Sequence, residues 1–381
     1  VNIPRTFAVV GTGWRAGMFV KVARAVPDRF GVLGVLARSS SSARRVMDAW
    51  KLPAYSSMED LLEAAHPDFV VVSVPWAASV GAILSLSAAG VPVLAETPPA
   101  PDLEGLKEVT ELVRQGARIQ VTEQYPHQPL HAARLALTDK GAIGTVYSAY
   151  LSVAHGYHAF ALMRRHLGLR GEPATVRATV HSLPVASGAS RYGPPRAPGQ
   201  LISERTVGIV DFGDRIGTYD FADTQYWSYV HRHHVVLRGS DGELADEMLH
   251  RVHSLDETVS TALRREHAGS GGDMSGHYLR GISGVDGWIW RNPFPGCRMF
   301  DDEIAVATVL ELMGRHVDGG PPFYGVADAA QDHYLYLALQ QAAKTGTSVR
   351  TNRQPWDDLL DTVVPDPFVA RPEPTNAKGE G

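Results

Sequence analysis

The stretch Thr6-Phe7-Ala8-Val9-Val10-Gly11-Thr12-Gly13-Trp14-Arg15-Ala16 joins a short apolar run to a G-x-G-x-x-A loop and then to a helical pattern. A strand that turns through two glycines into a helix is how a dinucleotide-binding βαβ unit opens. Gly11 permits the tight turn, Gly13 lets the backbone approach a pyrophosphate, and the small Ala16 lets the helix pack closely on the strand. The helix N-terminus adds N–H donors that have no intrahelical partner. Gly11, Thr12, Gly13, Trp14 and Arg15 are therefore the first part of a predicted cofactor site.

Downstream the same grammar repeats. Strands are predicted over 30–37, 68–74, 91–95 and 118–122, with helices over 14–26, 42–50, 58–65, 77–89 and 103–115. Strands separated by helical patterns of this length imply crossovers and a parallel, doubly wound sheet, which places an N-terminal Rossmann domain at residues 1–122. Residues 69–95 carry no charge and are long enough to span a bilayer, but Pro75, Gly81, Gly90 and Pro92 divide them into strand, helix and strand of a buried sheet.

Beyond residue 122 the pattern changes to period-two runs at 146–154, 175–183, 206–212, 216–221 and 233–238, with turns at Gly213-Asp214 and Asp241-Gly242. Helical patterns fall at 129–139, 157–167, 301–316 and 326–344. The fold class is thus α/β, with a C-terminal α+β domain over 123–360 built on a large, open, mainly antiparallel sheet. Residues 186–200 read as a long loop and 361–381 as a Pro/Gly-rich tail.

Composition narrows the function. A 381-residue chain that is 44% hydrophobic and 20% charged is a soluble globular protein of about two domains, not a disordered or fibrous one. Its 36 Lys+Arg against 41 Asp+Glu, without a basic run, argue against a nucleic-acid partner, and no membrane partner is expected. The single Cys297 can close no disulfide within the chain and build no thiolate zinc site, so redox chemistry has to come from a cofactor. With no basic-then-apolar segment ahead of the first strand, a cytoplasmic setting is expected. His231-Arg232-His233-His234 would alternate faces on a solvated strand and has no carboxylate pair nearby, so no metal site is predicted. Asp301-Asp302-Glu303 reads chiefly as the acidic start of a helix.

The end of the second strand is Ala37-Arg38-Ser39, where NAD-binding domains usually place an acidic residue for the ribose. Arg38 and Ser39 suit a 2′-phosphate, which tilts the cofactor slightly toward NADP. Arg38 stacked on adenine, with NAD bound, is the other reading.

With these residues in view, the chain resembles the Gfo/Idh/MocA family of glucose-fructose oxidoreductase and inositol dehydrogenase over residues 5 to about 350. The likeness rests on the glycine loop, Val70-Val71-Val72-Ser73-Val74-Pro75, Val93-Leu94-Ala95-Glu96-Thr97-Pro98, Gly141-Ala142-Ile143-Gly144, Gly156-Tyr157-His158 and Gly239-Ser240-Asp241-Gly242-Glu243-Leu244. It implies that Ser73, Val74, Pro75, Glu96, Thr97 and Gln124 join Arg38 and Ser39 in the cofactor site, while Trp76, just past the third strand at the carboxyl edge where such sheets bind ligands, reads either as a nicotinamide or substrate contact or as packing. It also implies a sugar or glycoside substrate and a homo-oligomer formed through the open sheet. The sequence departs from the family at two places. The lysine of the family's Glu-Lys-Pro is Thr97, and the family's aspartate falls on Ala154, leaving His158 as the matching proton carrier.

The candidate catalytic groups are therefore His158, His155 and Tyr157, since a histidine titrates in the range general acid–base work needs and a threonine hydroxyl does not. Tyr125, Arg164, Trp290 and Asn292 are the candidate substrate contacts, the last two from an aromatic segment punctuated by Pro and Gly. Hydride transfer on a sugar hydroxyl is the leading expectation. Two others stand beside it: a redox-neutral NAD-dependent glycosidase, because some members with this fold oxidise, eliminate, hydrate and reduce; and a non-catalytic dinucleotide sensor like the yeast galactose repressor.

Overall fold

The computed structural model describes residues 4–191 and 193–360; the predicted tail at 361–381 lies outside the described residues. The first part alternates β1 (Arg5–Val10), α1 (Trp14–Ala25), β2 (Phe30–Leu36), α2 (Ser40–Arg45), β3 (Ala54–Tyr55) and α3 (Met58–Ala65). It continues with β4 (Phe69–Val72), α4 (Trp76–Ala88), β5 (Val93–Ala95), α5 (Leu103–Arg114) and β6 (Ile119–Val121). These strands form one parallel sheet in the order β3-β2-β1-β4-β5-β6.

Strand periodicity sorts the sheet's side chains into two cores. Phe7, Val9, Val71 and Leu94 face one, while Ala8, Val10, Val70, Val72 and Val93 face the other, so both faces are buried. The order reverses between β1 and β4, and a crevice opens there at the carboxyl ends, where such sheets bind ligands. Side chains close most of the helix starts: Ser39, Ser57 and Asp102 accept from the N–H groups of Ser42, Asp60 and Gly105 at 3.2, 3.0 and 2.9 Å. α1 and α4 are different: their caps are Gly13 and Pro75, and no side chain serves their first N–H groups. The helix predicted over 42–50 is in fact two pieces, α2 and a π-helical turn Val46–Trp50 that ends at Lys51 with φ +48°.

The second part comprises α6 (Pro129–Asp139), β7 (Val146–Ser152), α7 (Gly156–Leu167), β8 (Thr175–Ala186), β9 (Gln200–Asp211), β10 (Ile216–Ala222), β11 (His234–Gly239), β12 (Gly242–Ala245), β13 (Met248–Val252) and β14 (Thr258–Ala262). Then follow β15 (Arg264–His267), β16 (Leu279–Gly284), β17 (Gly287–Arg291), α8 (Asp301–Val317), α9 (Val326–Thr345) and β18 (Val349–Arg350). A nine-stranded sheet runs β14-β13-β12-β11-β7-β10-β9-β8-β18, antiparallel apart from the parallel pair β7 and β10. β15, β16 and β17 make a smaller antiparallel sheet.

α7 and α9 cover one face of the large sheet, where Gly217 leaves room for Met163 and Gly208 for Leu339. The neighbouring residues Ile209 and Ile216 alternate to the other face and are exposed. α8 packs back on α1, which brings the second part of the chain against the glycine loop. No helix among the described residues is long and apolar enough to cross a membrane.

Candidate functional site

The carboxyl ends of the parallel strands face the second part of the chain across a cavity of about 1010 Å³. Every residue predicted for the cofactor borders it: Gly11, Thr12, Gly13, Trp14, Arg15, Arg38, Ser39, Ser73, Val74, Pro75, Trp76, Glu96, Thr97 and Gln124. His155, Tyr157, His158 and Tyr125 line the same space.

The glycine loop fits a dinucleotide by geometry. Gly11 has φ +128°, and a Cβ there would overlap the carbonyl oxygen of Ser73, so β1 and β4 approach as closely as they do only because the residue is glycine. A Cβ on Gly13 would meet nothing within 4 Å, so the space above it is free for a ligand beside the uncapped start of α1. Cationic side chains ring the far end. Arg38 and Ser39 lie there with Ser42, and Arg45 reaches the carbonyl and Oγ1 of Thr12 at 3.4 and 3.3 Å. Arg191, from the connection between β8 and β9, stands 4.7 Å from the centre of the Trp14 ring.

Arg15 turns away from solvent. Its Nε donates to Glu96 Oε1 at 2.6 Å and its Nη1 to Asp302 Oδ2 at 3.2 Å, joining α1, the end of β5 and the start of α8. Burial works against this charge, yet the two carboxylates hold the guanidinium above its ordinary pKa. Asp302 thus belongs to the cavity. Its neighbour Glu303 closes the helix start, accepting from the Phe300 N–H at 3.1 Å.

At the other end, His158 Nδ1 lies 2.6 Å from Glu123 Oε2, with the Glu123 side chain wholly buried. Glu123 Oε1 accepts the Tyr125 N–H at 3.0 Å. Burial pushes the Glu123 carboxyl up and the His158 imidazole down, which disfavours the charge-separated form of the pair. With Nδ1 committed to Glu123, Nε2 is the ring nitrogen left for the cavity. His155 is held by Tyr226, whose Oη is 2.8 Å from Nδ1 and 3.0 Å from the backbone N, and Tyr125 Oη is 2.7 Å from the same hydroxyl. Burial, and secondarily the neighbouring His158, holds His155 down at about 3. The His155 and His158 rings meet edge to face at 4.9 Å. Tyr157 donates its hydroxyl to the Thr97 carbonyl at 3.1 Å, and burial keeps that hydroxyl protonated.

Three predicted substrate contacts lie elsewhere. Arg164 faces α9, pairing with Asp328 and Asp332 at 3.1 and 3.0 Å. Trp290 is not in a loop but on β17, 1% exposed in the core, because Gly287 at φ +102° makes a hairpin turn ahead of it. Asn292 is spent on its own segment, donating to the Leu279 carbonyl at 2.7 Å and accepting from the Phe294 N–H at 3.0 Å. Sequence reasoning also missed residues. Arg191 and Tyr226 line the cavity and Glu123 stands behind it on His158; Asp302, read chiefly as a helix start with hydroxyl binding as the lesser reading, lines it too, and His233, assigned to a solvated strand, precedes β11 and lines the cavity. Of those missed outright, only Glu123 carried a signal, a carboxylate just past the last parallel strand. No group of His, Cys, Asp and Glu among the described residues could hold a metal ion.

Residues 5–124 match the Gfo/Idh/MocA family model, an oxidoreductase family with an NAD-binding Rossmann fold. No curated protein matches the sequence. Among solved structures, the fold recurs in an oxidoreductase from Agrobacterium radiobacter in complex with NAD+, L-tartaric acid and magnesium, at 16% identity and TM-score 0.63, covering 91% of this chain and 98% of that one. Myo-inositol 2-dehydrogenase from Lactobacillus plantarum shares it at 14% identity and TM-score 0.63, with 92% and 100% covered. So does the WlbA dehydrogenase from Chromobacterium violaceum in complex with NADH and UDP-GlcNAcA, at 14% identity and TM-score 0.60, with 92% and 97% covered. At these identities the likeness is one of fold. The part of the chain at residues 5–124 is thus similar to the NAD-binding Rossmann domain of the Gfo/Idh/MocA oxidoreductase family.

Proposed function

We propose that the protein is an NAD(P)-dependent oxidoreductase acting on a hydroxyl of a sugar, polyol or glycoside, with His158 as its acid–base group. The observation that carries this reading is a single cavity that holds both the glycine loop and the paired histidines. The space over Gly13 and the uncapped start of α1 fit a pyrophosphate, and Ser73–Trp76 with Glu96 and Thr97 would border the nicotinamide. Arg38, Ser39 and Arg45 would surround the adenosine ribose and favour a 2′-phosphate. A bound nicotinamide supplies the acceptor and donor of hydride. The chain's own part is the proton. His158 Nε2 takes it from the substrate hydroxyl, a role Thr97 and the buried Ala154 lack the groups to fill. A sugar-like substrate is supported by the names of the inositol and UDP-GlcNAcA structures that share the fold. Exposed Ile209 and Ile216 support pairing of two copies through the open sheet.

A second reading has its own support. Oxidising an alcohol needs one base, whereas this cavity holds two proton-handling groups, His158 and the His155 ring backed by Tyr226 and Tyr125. Two such groups suit a redox-neutral glycosidase, which moves protons at neighbouring carbons. The test is absorbance at 340 nm with NAD+ or NADP+ against a panel of myo-inositol, D-glucose and UDP-N-acetylglucosamine, alongside release of 4-nitrophenol from aryl glycosides. Reduced cofactor supports the dehydrogenase, and nitrophenol without net reduction supports the glycosidase. Dinucleotide binding with neither activity overturns both and leaves a sensor.

A further inference from the structure

Glu123 has no part in the functions drawn so far, yet it is the group most closely tied to the proposed base. Its carboxylate is wholly buried and has two partners, the Tyr125 N–H on Oε1 and His158 Nδ1 on Oε2. We infer that Glu123 is a positioning residue that dictates which nitrogen of His158 carries the proton, so that the two side chains work as one proton-handling unit. The inference rests on the role proposed above for His158.

The proton count follows from the geometry. When the pair holds one proton, it sits on Nδ1 and is donated to the Glu123 carboxylate, leaving Nε2 bare toward the cavity as a base. When the pair holds two, one is on Nε2 and the other lies in the short contact between Nδ1 and Oε2. Taking a substrate proton at Nε2 moves the pair from the first state to the second. No isolated imidazolium has to form in a dry site, which burial would penalise. The charged and titratable groups facing the pair are Arg15 from α1, Glu96 after β5, Asp302 from α8, Tyr324 ahead of α9, and His127, Tyr125, Tyr157, His155 and Tyr226. The carboxylates and Arg15 engage one another, so Glu123 is the anion in hydrogen-bond contact with the ring.

Glu123→Gln tests this. Tyr125 N–H needs an acceptor, so the amide oxygen stays on that side and the NH2 group faces Nδ1. The His158 proton is then forced to Nε2 and the base is lost. Two-dimensional 15N NMR of the full chain labelled at histidine, with His158 assigned through His158→Gln, reads the tautomer without any substrate. At alkaline pH the proton is expected on Nδ1 in the wild type and in Glu123→Asp, and on Nε2 in Glu123→Gln. A wild-type proton on Nε2 at alkaline pH, or a Glu123→Gln spectrum like the wild type, overturns the inference. In the 340 nm assay, Glu123→Gln should lower kcat on the order of 10²–10⁴-fold and remove the rise of oxidation rate with pH, with NAD+ affinity held within about threefold. Glu123→Asp should restore part of the rate. Unchanged kcat and pH profile in Glu123→Gln also overturns it. If the wild type turns over nothing, the proposed oxidoreductase fails, while the tautomer measurement still decides the role of Glu123.

Discussion

Tyr226 Oη lies 2.8 Å from His155 Nδ1 and also accepts the backbone N–H of His155 at 3.0 Å and the hydroxyl of Tyr125 at 2.7 Å. One hydroxyl has one proton to give, and the backbone amide can only donate. The Tyr226 proton therefore goes to Nδ1, and His155 carries its own proton on Nε2. When the Glu123–His158 pair holds one proton, His155 and His158 thus offer the cavity opposite faces of imidazole chemistry, a donor from one and an acceptor from the other.

Tyr226→Phe breaks this chain at its centre. Nδ1 of His155 loses its donor and the Tyr125 hydroxyl its acceptor, at a cost to stability of about 1 kcal/mol. Turnover is expected to fall about tenfold or more with dinucleotide affinity unchanged. Turnover at the wild-type level would show that His155 takes no part in proton movement.

The two glycines of the loop are expected to separate stability from binding. Ala at position 11 meets the Ser73 carbonyl at a φ that L residues rarely adopt, so Gly11→Ala should cost more than about 2 kcal/mol by thermal unfolding and abolish NAD+ binding. Gly13 has φ −77° and open space at its Cβ, so Gly13→Ala should leave stability within about 1 kcal/mol and weaken NAD+ at least about tenfold by calorimetry. Equal losses of stability in both variants would contradict the idea that the space over Gly13 is kept for a ligand.

The same division separates what the sequence makes legible from what it does not. The parallel sheet was legible because its strands are unbroken apolar runs and its helices have capping residues; the predicted helix 58–65 is α3, opened by Ser57. β13 and β15 were not legible, since Met-Leu-His-Arg-Val and Arg-Arg-Glu-His carry no apolar period. The residues expected to hold the cofactor could be named because they lie in the glycine turn and just past the carboxyl ends of successive parallel strands. The proton-handling end is assembled from partners far apart in sequence. Glu123 and His158 are 35 residues apart and His155 and Tyr226 are 71 apart, and no spacing rule links them. Arg164 and Trp290 misled because their chemistry suits a sugar, whereas ion pairing and core packing claim them first.

Cofactor choice should respond to the cationic end of the cavity. Arg38 and Ser39 occupy the position where a ribose-binding carboxylate would stand, with Arg45 close by at the end of α2. Arg38→Ala is expected to weaken NADP+ about tenfold or more and NAD+ by less than about threefold, measured by fluorescence titration at fixed salt. An equal loss for both cofactors would mean that Arg38 stacks on adenine and reads no phosphate.

His166 sets a pH dependence of folding that is separate from catalysis. Its Nδ1 is 3.4 Å from Thr138 Oγ1, and its Nε2 is buried with no hydrogen-bond partner. Burial, and then Arg134 and Arg165, push the imidazole down to about 3. The unfolded chain protonates this residue near 6.5, so below that pH it binds a proton the folded chain refuses. The contribution is therefore absent above about 6.5, and stability falls by about 1.4 kcal/mol per pH unit as the pH drops toward 3. His166→Asn keeps a polar group where Nδ1 stands and removes the titration. Urea unfolding of both proteins across a pH series should show wild type and variant running parallel above neutrality. By pH 5 the wild type should have lost about 2 kcal/mol more than the variant. Curves that stay parallel throughout would mean that His166 takes up its proton in the folded protein as readily as in the unfolded chain.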